Sequence, residues 1–160
     1  MDALIRILHK NALTPREDIA RQLDLSVEQV NEKISQLEKD GIILGYHAVI
    51  NREKWDTNRV VALIEVKITP EREGGFDRIA ARIARFEEVQ SCYLMSGGYD
   101  LLIVVEGDNL KKVASFVAER LSTIEAVQAT ATRFRLKTYK ENGSYHDSEA
   151  AAPDRLAVTP

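Results

Sequence analysis

The sequence lacks the features that mark secreted and membrane proteins. A single cysteine among 160 residues, Cys92, excludes an intramolecular disulfide and fits a reducing compartment. The longest uninterrupted apolar run is only a few residues, whereas a membrane-spanning helix requires about 20. The N-terminus opens on an acidic residue, and basic residues interrupt the apolar ones that follow, unlike a signal peptide. We therefore expect a cytoplasmic protein with no membrane partner.

The usual signatures of catalysis are also missing. His9, His47 and His146 are scattered, and no cysteine or histidine pair has the spacing of metal ligands. The chain has neither a phosphate-binding glycine loop nor a dinucleotide-binding fingerprint. Its carboxylates lie mostly on predicted helix surfaces, where solvated charge is usual. The sequence thus predicts no catalytic residue, no metal and no cofactor.

Positive charge is scarce as well. The formal net charge is −3, and residues 1–55 carry eight basic side chains against nine acidic ones. Non-specific affinity for DNA rises with the number of phosphates that a protein neutralises. Bulk electrostatics therefore gives no support for nucleic-acid binding, and any such function must depend on local architecture.

What the first 50 residues do contain is the pattern of three short helices. The second is predicted to begin with a capping box at Thr14-Pro15-Arg16-Glu17. The third is predicted to begin with another, Ser26-Val27-Glu28-Gln29, and to end at Gly41. Two helices joined by three or four residues, with a capped serine opening the second, are typical of a helix-turn-helix. Residues 1–50 thus predict a DNA-binding domain.

The remainder predicts an α+β domain after a polar hinge at residues 51–58. The periodicity of residues 59–140 is that of β-α-β-β-α-β, the ferredoxin-like order. The predicted strands and helices span residues 59–69, a helix after Gly74-Gly75, 89–95, 99–106, 109–121 and 126–139. Residues 141–160 are rich in Ala, Ser, Asp and Pro and are expected to form a disordered tail.

Two of the predicted strands are apolar on both faces, at Val60–Ile64 and at Leu101–Val105. A sheet with helices on one side and water on the other should alternate apolar and polar residues. Something must therefore cover the second face. A copy of the same sheet would give a two-fold dimer; the alternative is that the N-terminal domain covers it.

Residues 2 to about 140 resemble the leucine-responsive and asparagine-operon regulator family, Lrp/AsnC. Three segments carry the resemblance in order and at the expected separations: Leu37–Tyr46, Ser96–Asp100 and Ile124–Thr132. The resemblance implies a winged helix-turn-helix and a ligand-binding domain that dimerises through its sheets. It also implies higher assembly, often four dimers in a ring, and an amino acid or related small metabolite as effector.

The third helix would enter the major groove of double-stranded DNA. Its candidate DNA contacts are Ser26, Gln29, Glu32, Lys33, Gln36 and Lys39. Glutamine can read adenine, and lysine can contact guanine or phosphate. Glu28 and Glu32, by contrast, would face a polyanion, and Ser35 and Gln36 stand where the family often has arginines. A helix-turn-helix used only for packing or protein contact remains the alternative.

The glycine pair of the second segment has two interpretations. It can simply supply the backbone freedom of a hairpin, or its amides can receive an effector carboxylate while Asp100 attracts an ammonium group. The resemblance favours the second, with candidate effector residues Met95, Ser96, Gly97, Gly98, Tyr99, Asp100, Thr130 and Thr132. We expect a sequence-specific regulator tuned by an amino-acid-like effector. The alternatives are a metabolite-sensing oligomer that has lost tight DNA binding, and a small ferredoxin-like enzyme.

Overall fold

The structure, a computed structural model, describes residues 2–56, 58–70 and 75–146. The chain divides into two compact units, Met1–Ala48 and Val49–Pro160, close to the boundary expected after residue 50. No helix in these described ranges is long and apolar enough to cross a membrane.

The first unit consists of three helices around a small apolar core. They are α1 (Ala3–Lys10), α2 (Arg16–Leu23) and α3 (Val27–Lys39). The buried side chains are Leu4, Leu8, Ile19, Ala20, Val30 and Ile34. Because α2 and α3 are separated by only three residues, the chain has the predicted helix-turn-helix geometry.

The ends of α3 are those expected from the sequence. The Ser26 hydroxyl accepts from the Gln29 N–H at 3.2 Å, and the Gln29 side-chain oxygen accepts from the Ser26 N–H at 2.9 Å. After the helix, Gly41 adopts φ +68°, a left-handed conformation that glycine takes at little cost. Both the capping box and the glycine stop are confirmed.

The predicted capping box of α2 is wrong. Pro15 occupies the N-cap position, and no side chain caps the helix. The Thr14 hydroxyl instead donates to the carbonyl of Asn11 at 2.8 Å. The same carbonyl also accepts from the Thr14 N–H at 3.2 Å, so both polar groups of Thr14 bond to the end of α1 and not to α2.

The second unit contains a four-stranded antiparallel sheet with helices on one face. Its elements are α4 (Arg52–Trp55), β1 (Val60–Ile68), α5 (Asp77–Ile83), β2 (Val89–Leu94), β3 (Leu101–Gly107), α6 (Leu110–Phe116, continued by a π-helical turn Val117–Leu121) and β4 (Val127–Phe134). The strand order is β2-β3-β1-β4. This is the βαββαβ, ferredoxin-like α+β arrangement expected from the periodicity.

The helices cover one face of this sheet. On that side Ala62, Ile64 and Val66 of β1 and Leu101, Ile103 and Val105 of β3 are fully buried with Ile79, Ile83, Val113 and Phe116. The alternate positions point the other way. We call the second side the open face and define it by Leu63, Leu102, Val104 and Ala131, all only half-buried. The second face therefore carries these apolar side chains, together with the ion pair of Glu65 and Arg133.

The expected hinge and tail differ from the structure. Within residues 51–58 lies α4, a single turn that Asn51 caps by accepting from the Lys54 N–H at 3.2 Å. At the other end, β5 (Lys140–Glu141) pairs with β6 (Ser144–Tyr145), so the predicted tail begins too early. Asn142 and Gly143 take φ +46° and +83°, and Asn-Gly is the dipeptide that adopts such a two-residue turn. Residues 147–160 of the predicted tail lie outside the described residues.

Candidate DNA-binding and effector sites

The side of α3 that turns away from the core carries all six candidate DNA contacts. Opposite Val30 and Ile34, which are buried, every one of them is exposed: Ser26, Gln29, Glu32, Lys33, Gln36 and Lys39. The helix packs its apolar face on the core and leaves these six side chains accessible from outside, as contact with DNA requires.

Three of the six side chains also hold the helix together. Ser26 and Gln29 bond each other's backbone at the N-terminus, and the Gln36 amide donates to the Asp40 carboxylate at 2.7 Å. The side chains of Glu32, Lys33 and Lys39 form no hydrogen bond or ion pair with another residue of the described chain. Lys33 and Lys39 are therefore available to phosphates without breaking an existing contact.

The N-terminal turn of α3 keeps a negative charge. Its own backbone N–H and the Ser26 hydroxyl hold the pKa of the Glu28 carboxyl below its usual value. Glu28 is exposed and ionised at neutral pH. Its negative charge interacts favourably with the positive end of the helix dipole. The same charge opposes DNA phosphates, so the structure retains the acidic character expected of this helix.

A contact that sequence reasoning missed connects α3 to the segment after it. The Tyr46 hydroxyl donates to the Glu38 carboxylate at 2.9 Å. Burial, followed by this hydrogen bond and the charge of Glu38, raises the pKa of Tyr46. Both residues fall in the segment 37–46 that carries the family resemblance, so their pairing could have been considered from the sequence.

The loop between β2 and β3 contains most of the candidate effector residues. Met95 and the stretch Ser96–Gly98 are exposed, and Tyr99 and Asp100 are half-buried. Gly97 takes φ +131°, whereas Gly98 does not adopt a positive φ, and a Cβ added at either would meet nothing within 4 Å. In the described part of the chain, neither glycine's N–H donates a hydrogen bond. The loop therefore offers unpaired amides to solvent.

Asp100 has a structural role that the sequence did not reveal. Its carboxylate accepts from the Ile68 N–H at 2.9 Å, and its own N–H donates to the Val66 carbonyl at 3.0 Å. These bonds lie where the β1–β4 register shifts between Lys67 and Ile68. Asp100 thus holds the glycine loop against the end of β1, with one carboxylate oxygen already occupied.

Thr130 lies on the same end of the sheet as this loop. Val66 of β1 is opposite Leu101 on one side and opposite Thr130 on the other, which places Thr130 about 10 Å from β3. Thr132 is opposite Ile64 and therefore one pleat further from the loop. Thr130, Thr132 and Phe134 share one strand face, as predicted; it is the side of the sheet on which the helices lie, where Thr130 is half-buried and Thr132 is exposed.

A buried carboxylate, also missed from the sequence, fixes the start of β1. The Glu106 side chain is only 6% exposed; it pairs with Arg52 of α4 and accepts from Arg59 at 2.9 Å. The hydrogen bond to Glu106 is the main cause that raises the pKa of Arg59. Nothing in the sequence distinguishes Glu106, Arg52 and Arg59 from solvent-exposed charged residues. They come together only when β1 pairs with β3.

Residues that could support catalysis or metal binding are not clustered. Among the described residues, no group of three or more His, Cys, Asp or Glu side chains could hold a metal ion. Burial raises the pKa of the Cys92 thiol, which lowers its reactivity as a nucleophile. Cys92 packs against the core of the sheet, in agreement with a packing role.

Comparison with known proteins identifies both units. Residues 3–43 match the winged helix-turn-helix DNA-binding model, and residues 61–145 match the Lrp/AsnC ligand-binding domain. The HTH-type transcriptional regulator YugG of Bacillus subtilis is 42% identical over 158 residues, covering 98% of this chain and 95% of its own. The proline dehydrogenase transcriptional activator of Rhodobacter capsulatus is 29% identical and covers 87% of this chain and 92% of its own.

A solved structure agrees with these sequence matches. A transcriptional regulator from Neisseria meningitidis in complex with L-Met is 25% identical, with a TM-score of 0.68, over 88% of this chain and 93% of that one. The family and its relatives are transcription regulators rather than enzymes. The chain therefore belongs to the Lrp/AsnC family of transcription regulators, with a winged helix-turn-helix for DNA and a ligand-binding domain for a small effector.

Proposed function

We propose that the protein binds an amino acid through the β2–β3 loop and that this ligand changes its assembly or its affinity for DNA. It works in the cytoplasm, without a cofactor, as a homodimer or as an octamer of four dimers. The effector contacts are Met95, Ser96, Gly97, Gly98, Tyr99, Asp100, Thr130 and Thr132. The DNA contacts are Ser26, Gln29, Glu32, Lys33, Gln36 and Lys39.

The observation that carries this proposal is the pair of unbonded amides at Gly97 and Gly98. Adjacent backbone N–H groups in an exposed turn form a concave site for an anion such as a carboxylate. The bonds from Asp100 to Val66 and Ile68 anchor this turn to β1. An anchored turn loses less conformational entropy when a ligand orders it, which favours binding.

Binding of the ammonium group requires a different arrangement from the one inferred at first. One Asp100 oxygen already accepts from Ile68 at 2.9 Å, and the Lys67 ammonium lies 3.4 Å from the Gly98 carbonyl. Lys67 therefore adds positive charge beside the amides and strengthens the anion site. The other Asp100 carboxylate oxygen has no hydrogen-bond partner among the described residues and is left to accept from an ammonium group.

The open face supports the homodimer. Leu63, Leu102 and Val104 are apolar yet only half-buried, and burial of apolar surface contributes about 25 cal/mol per Å². Two copies related by a two-fold axis would bury the same residues from both chains. A relative found with L-Met and relatives named as regulators of amino-acid genes support an amino acid as the effector.

A thermal-shift screen of the twenty amino acids tests the proposal. A ligand that binds only the native state stabilises it by about 2.7 kcal/mol at a free concentration of one hundred times Kd, and the melting temperature rises accordingly. We expect at least one amino acid to raise it by several degrees. The Gly98→Leu variant should abolish that shift, because the added side chain covers the amides while its Cβ meets no atom within 4 Å.

The matched control is Gln90→Leu, which adds the same side chain at an exposed position of β2 away from the loop. It should keep the ligand-induced shift. No shift with any of the twenty amino acids, or the same shift in Gly98→Leu as in the unmodified chain, would contradict the proposed site.

A further inference from the structure

The single helical turn α4 has little of its own to hold it in place. It consists of Arg52–Trp55, and none of these residues is buried. Isolated helices shorter than about 12–15 residues are marginal in water, and most helices in proteins depend on an apolar face packed against a core. Polar contacts with the rest of the second unit must therefore hold α4. One of them is the pairing of Arg52 with the buried Glu106 of β3.

Two further contacts join α4 to the far end of the described chain. The Asn51 side-chain N–H donates to the His146 carbonyl at 3.2 Å, and the Glu53 carboxylate accepts from the Thr138 N–H at 3.0 Å. Thr138 precedes the β5–β6 hairpin and His146 follows it. Both ends of this hairpin are therefore bonded to the same helical turn.

The hairpin is attached to the sheet at the same place. Glu141 of β5 accepts from the Arg135 guanidinium at 2.8 Å, and the Arg135 backbone N–H donates to the Val61 carbonyl of β1 at 2.9 Å. The His146 side chain is only 7% exposed, and His146 borders a small groove together with Arg52 and Val61. Most other residues of the hairpin are exposed, so this ring is its main buried anchor.

Burial of the His146 ring carries a cost. Neither ring nitrogen has a hydrogen-bond partner among the described residues. The Glu141 carboxylate lies 3.8 Å from Nε2 and is already bonded to Arg135. A buried polar group without a partner loses its hydration and gains no bond in return. Few attachments and a penalty of this kind are typical of segments that open locally while the core stays folded.

We propose that the β5–β6 hairpin is a strap that opens and closes together with α4 as one cooperative unit, while the four-stranded sheet stays folded. The first unit ends at Ala48 and α4 begins at Arg52, so α4 sets the point from which the linker leaves the second unit. The closed strap fixes that point and the open strap frees it. Asn51 and His146 are thus positioning residues for the linker, with or without an effector at the β2–β3 loop.

Hydrogen exchange of the full chain, measured by mass spectrometry of overlapping peptides, tests the strap. The Trp55 and Asp56 N–H groups bond within α4 and its cap, and the His146 N–H bonds across the hairpin to the Tyr139 carbonyl. If α4 and the hairpin open together, these three amides share one opening free energy. We expect their protection factors to agree within about twofold, and those of β1 to be at least about tenfold larger.

The Asn51→Asp variant should open the strap specifically. It removes the donor to His146 but keeps the oxygen that accepts from the Lys54 N–H and caps α4. The new carboxylate faces the His146 carbonyl, so the three amides should exchange at least about tenfold faster, while the rates in β1 stay unchanged.

The matched control is Asn109→Asp, the same change at the N-cap of α6. There the side-chain oxygen accepts from the Lys112 N–H, and the side-chain nitrogen has no partner in the part of the chain that the structure describes. Exchange in α4 and in the hairpin should be unaffected.

DNA binding of two uncharged variants tests the positioning role. His146→Ala removes the buried ring and keeps the carbonyl that Asn51 bonds, whereas Tyr145→Ala removes a ring that is 50% exposed in the same hairpin. A linker freed from α4 must be ordered again when DNA binds, which lowers affinity. We expect His146→Ala to bind the DNA upstream of its own gene severalfold more weakly and Tyr145→Ala to stay within about twofold of the unmodified chain. Both should bind a duplex of unrelated sequence as the unmodified chain does.

Three exchange results would overturn the cooperative strap: unequal protection of α4 and the hairpin, equal acceleration in Asn51→Asp and Asn109→Asp, or loss of protection in β1 together with the strap. Equal DNA affinity of His146→Ala and Tyr145→Ala would overturn its positioning role. This second arm rests on the proposed binding of specific DNA. If the unmodified chain binds no specific DNA, that function fails, and the exchange rates alone decide whether the strap exists.

Discussion

Asp100 has a structural role in addition to the effector contact that we propose for it. From the sequence it follows a glycine pair and invites assignment as an ammonium ligand. In the structure its carboxylate accepts from the N–H of Ile68, a residue that is 3% exposed. A buried N–H without a partner is costly, so the carboxylate stabilises the fold whether or not it also touches a ligand.

Replacement of Asp100 should therefore reduce stability in the absence of any effector. Asp100→Ala leaves the Ile68 N–H unpaired, and we expect the free energy of unfolding to fall by about 1–3 kcal/mol, measured by urea denaturation of the full chain. Asp100→Asn keeps a side-chain oxygen as acceptor, so its free energy of unfolding should fall by less than that of Asp100→Ala.

Asp108→Ala is the control for loss of a carboxylate at the opposite end of β3. Its side chain is 75% exposed and lies 3.9 Å from Arg59, so the change should cost less than about 0.5 kcal/mol. If Asp100→Ala were as stable as Asp108→Ala, the anchoring role of Asp100 would be excluded.

At the scale of single elements, α3 combines a well-defined helix with an unfavourable charge for its partner. Its capping box and its buried Val30 and Ile34 determine its shape. Its exposed side sets Glu28 and Glu32 beside Lys33 and Lys39. A carboxylate can accept from the amino group of cytosine, so Glu32 is suited to discriminate among bases even though it weakens attraction to phosphates.

Neutralising Glu32 should separate these two effects. Glu32→Gln removes one negative charge from the DNA-facing side, and an exposed charge contributes on the order of 1 kcal/mol at close range. We expect affinity for a duplex of unrelated sequence to rise severalfold, measured by fluorescence anisotropy at fixed low salt.

Glu119→Gln makes the same change of net charge on an exposed position of the second unit and should leave that affinity unchanged. A Glu32→Gln variant that binds no more tightly than Glu119→Gln would show that this side of α3 does not face DNA.

The elements that the sequence predicts well are those with local signals. The capping box at Ser26 and the apolar runs of β1 and β3 depend on neighbouring residues, and both predicted elements agree with the structure. The capping box at Thr14 fails because Asn11 offers a competing acceptor. The β5–β6 hairpin is not among the predicted elements, although Asn142-Gly143 is a typical hairpin turn. The Ala-, Ser-, Asp- and Pro-rich composition of residues 141–160 predicts disorder instead.

Contacts between distant parts of the chain could not be predicted. Glu106 meets Arg52 and Arg59 only after β1 pairs with β3. The candidate effector loop was located from its glycines, but its attachment through Asp100 to β1 required the register of the sheet.

For the whole molecule, the acidic DNA-binding unit and the open face both indicate that several linked copies of the chain bind DNA together. Each recognition helix offers two outward cations, Lys33 and Lys39, which is too few for tight binding by one copy. Linked copies raise the effective concentration of each reading helix and can increase overall affinity by about 10²–10⁴. The sheet that exposes Leu63, Leu102 and Val104 supplies the surface for such linkage.

The most direct test measures, by gel retardation, how the affinity for the DNA upstream of the protein's own gene depends on salt concentration. For duplex DNA the slope of log affinity against log salt is about −0.9 per phosphate neutralised. One α3 with two cations would give a slope near −2, whereas a dimer or larger assembly should give about −4 or steeper, together with sequence-specific retardation at low salt. A slope near −2, or no specific retardation with or without the twenty amino acids, would contradict a regulator that reads DNA in multiple copies.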